Sequence, residues 1–265
     1  MTYYPNLSTG AVAQYPLVRK RKLRTIFNHT LDGRQTKLPD TMAGIMEWQL
    51  TYIGLNVAEA TQLRTFFEER EGQLKSFVFA DPTDNLLARS EELGNEAWVR
   101  DPLLQVQNAV LDPNGTQRAC RLTNIGQGDQ GIRQTISSPG SYVYSFSLYT
   151  RSALPTSVTL RSSVLPASVE KAFECGSEWR RLKMVSSLGV DYGPVWFELL
   201  LNAGAILDVF GLQVETQIEP SPYRKTANLG GVYENARFNV DEIAFVADSL
   251  AQFSTQVTVL SRLEG

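Results

Sequence analysis

Between Ile45 and Leu55 the chain alternates: Met46, Trp48, Leu50 and Tyr52 are apolar, while Glu47, Gln49 and Thr51 between them are polar. A period of two places the four large side chains on one face, which predicts a half-buried strand. Upstream, LVRKRKLRTIFN (17–28) alternates charge with Leu23, Thr25 and Phe27 and predicts a strand with one wet face. Asp32-Gly33 then supplies the positive φ that a tight hairpin turn wants. At Asn56 the period changes. Glu59 stands three residues after Asn56, the spacing of a capping box, and Ala60, Leu63, Phe66 and Phe67 recur at three- and four-residue intervals. This predicts an amphipathic helix with Gly72 placed to end it. Phe77 and Phe79 then mark a strand that Pro82, lacking an N–H, stops.

From about residue 88 short β-like runs follow one another: QRACRLTN, IRQTIS, SYVYSFSLYTR, SVTLRSSV, WRRLKMVSSL, VWFELLLN and LDVFGLQVE. Turn clusters such as DPNG, SSPG and GVDYGP separate them. Regularly spaced strands without helices predict a β-sandwich or jelly roll. After SPYRKT (221–226) the tail closes on TQVTVLSRLE (255–264), a further alternating strand with no place in the sandwich. The fold class expected is therefore mainly β with one helix: an α+β N-terminal domain completed by the C-terminal strand, plus an inserted sandwich.

Length and composition narrow this little but exclude several functions. A chain of 265 residues with 43% hydrophobic and 20% charged positions can build one large core or two ordinary ones. A formal net charge of −3 gives nucleic-acid binding no compositional support. The basic run Arg19, Lys20, Arg21, Lys22 and Arg24 reads as a solvated or salt-bridged strand face, with a DNA-facing surface as the alternative. The two cysteines, Cys120 and Cys175, read as small buried hydrophobes, with a disulfide between them the alternative. A single histidine, His29, and no CxxC pair leave no metal or cofactor expected. The N-terminus lacks the basic-then-apolar pattern of a signal peptide, and no run approaches the ~18 apolar residues of a spanning helix, so neither export nor membrane insertion is expected.

Two groups of motifs carry a resemblance. Trp48-x-Leu-x-Tyr52, Leu63-x-x-Phe66-Phe67, Gly72 and Phe77-Val-Phe79-x-Asp81-Pro82, with Ala236-Arg-Phe-Asn-Val-Asp241 and its closing strand, resemble the distal tail and minor tail proteins of long-tailed bacteriophages and gene transfer agents. Tyr142-x-Tyr-Ser-Phe-Ser-Leu-Tyr149-x-Arg151, Trp179-Arg-Arg-Leu, Phe210-Gly-Leu-Gln213-x-Glu215 and Ser221-Pro-Tyr223 are similar to the galactose-binding-like jelly roll of carbohydrate-binding modules. The resemblance implies a discontinuous ring-forming tail-hub domain (1–87 and 228–265) with a jelly roll (88–227) inserted, SPYRKT being the insert's last turn. It implies a virion tail protein, a homo-oligomeric ring of six between tail tube and tail tip, with tail tube and tail-tip proteins as partners and the jelly roll projecting outward. The alternative is a non-catalytic carbohydrate-binding protein that mediates adsorption to the host surface.

Candidate chemistry is sparse. There is no nucleophile elbow and no HExxH, and Gly126-Gln-Gly-Asp-Gln-Gly131 lacks the following helix that a phosphate loop needs. Glu198, Asp208 and Glu215 are the carboxylates from which a glycosidase pair would be drawn, but no enzyme is expected. A pyranose site needs an aromatic platform flanked by polar groups. Tyr149, Arg151, Trp196 and Glu198 are the candidate glycan-binding residues, provided that the faces of their two strands adjoin. The apolar faces beside them, Tyr142, Tyr144, Phe146 and Leu148 among them, are expected to form core.

Overall fold

A computed structural model describes residues 1–263 of the chain, apart from the side chains of residues 41 and 42. Glu264, the last residue of the expected closing strand, lies outside the described residues. The strands in chain order are β1 (Leu17–His29), β2 (Gln35–Leu55), β3 (Phe77–Ala80), β4 (Val99–Arg100), β5 (Leu104–Val110), β6 (Ala119–Asn124), β7 (Gln130–Ile136) and β8 (Tyr144–Arg151). They continue as β9 (Thr156–Val164), β10 (Ala167–Cys175), β11 (Arg180–Ser186), β12 (Val195–Leu201), β13 (Ile206–Glu215), β14 (Val232–Phe238), β15 (Phe245–Ala247) and β16 (Phe253–Arg262). One helix, α1 (Val57–Glu69), is found among the described residues. The chain divides into two compact units, residues 1–8, 13–79 and 233–265 in the first and 9–12 and 80–232 in the second.

In the first unit a sheet runs β1-β2-β16-β14-β3, with β15 paired to β16. The alternation read in β2 is realised: Met46, Trp48, Leu50 and Tyr52 are buried. The helix starts with both halves of the capping box, Asn56 accepting from the Glu59 amide and Glu59 accepting from the Asn56 amide. Its stripe of Ala60, Leu63, Phe66 and Phe67 is buried. Phe66 and Phe77 meet edge to face at 5.2 Å, Phe67 and Phe238 lie 4.9 Å apart, and Trp48 sits 4.9 Å from Phe79. Each such ring contributes about 1.5–3 kcal/mol on burial, and the offset geometries add to it. The helix is capped by Arg70, and the left-handed turn that follows uses both Glu71 (φ 52°) and Gly72 (φ 58°). Glycine is favoured at 72 by that positive φ and because a Cβ there would lie 3.0 Å from the Asp241 Cα.

The expectation of one wet face for β1 is too dry. From Val18 onward the strand is exposed on both faces, and with β2 it forms a ribbon whose outer part, Arg24↔Asp40 to His29↔Gln35, pairs with no other strand among the described residues. Of the basic run, Lys20 and Lys22 reach Glu47, and Arg24 lies 3.5 Å from Asp40.

The second unit is a β-sandwich of two five-stranded sheets, β10-β9-β12-β7-β4 and β11-β8-β13-β6-β5. Their inner faces meet: Phe197 of β12 packs edge-on against Tyr144 (5.2 Å) and Phe146 (5.6 Å) of β8. Ser162 Oγ of β9 donates to Ser186 Oγ of β11 at 2.8 Å. Tyr142, Tyr144, Phe146 and Leu148 are all buried. Cys120 and Cys175 are buried and free.

Candidate ligand site

The four expected glycan-binding residues do not form one site. Side chains alternate across a strand, so with Phe146 and Leu148 inward, Tyr149 and Arg151 point out of the β8 sheet. With Phe197 and Leu199 inward, Trp196 and Glu198 point out of the opposite sheet. The sandwich core lies between the two pairs. Glu198 is the centre of a charge ladder across its sheet, accepting from Arg133 Nη1 (3.3 Å) and Arg161 Nη1 (3.1 Å), and Arg161 also pairs with Glu170 (3.1 Å). Tyr149 packs near Phe210 (6.1 Å) with the Arg181 guanidinium 5.4 Å from its ring. Asp208 and Glu215 share the outer face of the β8 sheet, away from Glu198.

SPYRKT is not simply a closing turn. It folds back over that outer face. Glu215 accepts from Gln213 Nε2 (2.7 Å), Gln217 Nε2 (2.9 Å), the Ser221 amide (2.9 Å) and Ser221 Oγ (2.6 Å). A positive φ of 66° at Gly211 makes the bulge over which Tyr223 lies, 3.1 Å from where a Cβ would be. The Tyr223 hydroxyl reaches Ser90 Oγ (2.8 Å) and Glu91 (3.1 Å), and Glu91 also receives Arg118 and Lys225.

Burial by itself would raise the Glu91 carboxyl, but hydrogen bonds from Arg118 and Lys225 outweigh it and hold the group below its ordinary range. A depressed folded pKa means stability that is present above the unfolded value of about 4.3 and lost as pH falls through the folded one. The denaturation midpoint of wild type is therefore expected to exceed that of Glu91→Gln at pH 7, and the gap to close as pH falls below the unfolded value and through the lower folded one. A gap that stays constant on acidification would show that Glu91 titrates normally.

Where the covering segment ends, one end of this face stays open. The register of β6, β13 and β8 brings Arg121, Asp208 and Arg151 side by side. Asp208, 3% exposed, accepts from Arg121 Nε (2.7 Å) and Nη2 (3.1 Å) and from Arg151 Nε (3.0 Å). The Asp208 hydrogen bond raises the Arg121 pKa further, so this guanidinium is charged at any ordinary pH. Trp179, just before β11, stacks 4.9 Å from the Arg151 guanidinium. Beside the triad opens a cavity of about 390 Å3, walled by residues 152–156 after β8 and 203–206 before β13. Of the four expected residues only Arg151 belongs to it. Asp208 shows in the sequence as a lone charge in an apolar run, whereas Arg121 and Trp179 carry no signal that joins them to it. Among the described residues no cluster of histidine, cysteine and carboxylates could hold a metal ion, and no helix is long and apolar enough to cross a membrane.

No family model matches this chain, and no curated protein matches it. Solved structures do. The enzymatically active domain of bacteriophage CBA120 tailspike protein 4 is 11% identical with a TM-score of 0.41, covering 52% of this chain and 22% of its own. The CBM61 module TmCBM61, solved with β-1,4-galactotriose, is 16% identical with a TM-score of 0.40, over 50% of this chain and 99% of that one. The CBM22-1 xylan-binding domain of Paenibacillus barcinonensis Xyn10C is 11% identical with a TM-score of 0.41, over 53% and 97%. Each likeness spans about half of this chain, at a level that assigns no function.

Proposed function

We propose that this chain is a non-catalytic structural protein of a bacteriophage tail. Its first unit assembles copies into a closed ring of six between tail tube and tail tip. The β1–β2 ribbon carries this reading. Ile26 and Leu38 face each other across it, Phe27 lies on the other face, and Leu23 and Leu31 are exposed as well. A two-stranded ribbon with apolar side chains on both faces has no core of its own and is marginal in water. It becomes a well-packed element only against another surface, and a second copy of the chain supplies one in every ring. A rotation that closes makes such a head-to-tail contact finite. The tail assignment itself rests on the motif resemblance around Trp48, Phe77–Pro82 and Ala236–Asp241.

Native mass spectrometry tests it. Wild type is expected as a closed oligomer. A variant with residues 24–39 replaced by Asn-Gly is expected to be monomeric with an unchanged circular dichroism melt. A strictly monomeric wild type, or a shortened variant that still closes, overturns the proposal.

A second reading concerns the sandwich. The cavity beside Arg121, Asp208 and Arg151 favours a saccharide contact on the host surface.

A further inference from the structure

We propose that this cavity binds a carboxylate-bearing sugar, a hexuronic acid residue, through the paired guanidiniums of Arg121 and Arg151; the inference rests on the saccharide reading of the sandwich. The charge balance at the site points there. Two guanidiniums share a single carboxylate, Asp208, which leaves one positive charge unmatched, and no other charged side chain lines the cavity among the described residues. Asp208 is bonded by Nε and Nη2 of Arg121 and by Nε of Arg151, while Arg151 Nη2 lies 3.5 Å from the Leu111 carbonyl. Nη1 of both arginines takes no part in these bonds. Guanidinium N–H donors are matched in geometry to a carboxylate and bind it more strongly than a neutral hydroxyl.

Position reinforces the chemistry. Asp208 and the Trp179 stack hold the two planes in place, so little side-chain freedom is lost when a ligand arrives. Leu154 and Pro155 give the cavity an apolar wall for the C–H face of a sugar ring, and Thr156 adds a hydroxyl. About 390 Å3 falls within the roughly 300–1,000 Å3 of small-molecule clefts. A neutral sugar would use the wall and leave the excess charge unanswered. An acidic one answers both.

The test is calorimetric titration of the full chain with trigalacturonate and, separately, with neutral galactotriose, at low and high salt. Trigalacturonate is expected to bind about tenfold tighter than galactotriose, with the advantage shrinking as salt rises. Arg121→Gln, which leaves Asp208 its Arg151 partner, is expected to remove that advantage, and Arg133→Gln on the opposite sheet to keep it. Equal binding of both sugars overturns the acidic-sugar inference and leaves the saccharide reading standing. Binding of neither overturns both. Sodium sulfate that binds as tightly as trigalacturonate and displaces it would make this a site for free anions, which also overturns the inference. Should Arg121→Gln fail to fold, the comparison of the two sugars on wild type decides alone.

Discussion

A chain ending at Ser254 is expected to lose its first unit altogether. β16 is an interior strand of that sheet, paired with β2 from Phe253↔Leu55 to Arg262↔Ile45 and with β14 on its other side. Removing it strips β2, β14 and β15 of ladder hydrogen bonds and takes Val257 and Val259, both buried, out of the core. The two valines alone represent about 3–6 kcal/mol of burial. With the lost backbone bonds at about 1 kcal/mol each, the total reaches the scale of a whole domain's stability, about 5–15 kcal/mol. Limited proteolysis read by mass spectrometry checks this: surviving protection is expected inside residues 80–232, with none over 17–79. Full protection of 17–79 in the truncated chain would show that the sheet closes without its last strand.

Glu215→Ala is expected to be the most damaging single substitution on the covered face of the sandwich. The carboxylate is fully buried and holds four neutral donors, two of them from Ser221. Alanine orphans these donors and leaves a void where the side chain was. At about 1–3 kcal/mol per buried unmade bond, partly relieved because Gln213 Nε2 also lies 3.2 Å from the Ser221 carbonyl, the loss is expected near 4 kcal/mol. In a unit of this size that lowers Tm by about 10 °C. Differential scanning calorimetry decides it, and a shift below about 2 °C would mean that water replaces the carboxylate without cost.

What the sequence showed and what it hid divide along physical lines. Local periodicity and local chemistry were legible. The Asn56–Glu59 box, the stripe through Phe66 and Phe67, the alternation at Met46–Tyr52 and the inward set from Tyr142 to Leu148 depend only on neighbours in the chain. β10 was not read, because an edge strand such as ASVEKAFEC packs little on either face and alternates weakly. The inner part of β2 was legible, but its outer part, QTKLPDTMAG, gave no signal because half the ribbon has no core to face. The return of the C-terminal strand to the first sheet was read, but partnership between the strands of the sandwich was hidden. Tyr149 and Trp196 read alike as surface aromatics, yet sheet order sends them to opposite sides of the sandwich. Arg121 and Arg151 meet on Asp208 from 87 and 57 positions away. Only the register of three strands puts them there.

The place of β16 in the sheet also bears on synthesis. It follows the whole second unit in the chain, so a ribosome lays down β1, β2 and α1, then the complete sandwich, and only afterwards the strand that β2 and β14 require between them. Domains that are contiguous in sequence can fold as they emerge. The first unit cannot, because its nascent half waits with an open sheet and bare aromatic side chains. Its apolar ribbon therefore gains a finished body to stand on only after translation has passed the sandwich. A truncated product would carry the ribbon without a folded base, so completion of the polypeptide would come before the self-association proposed above.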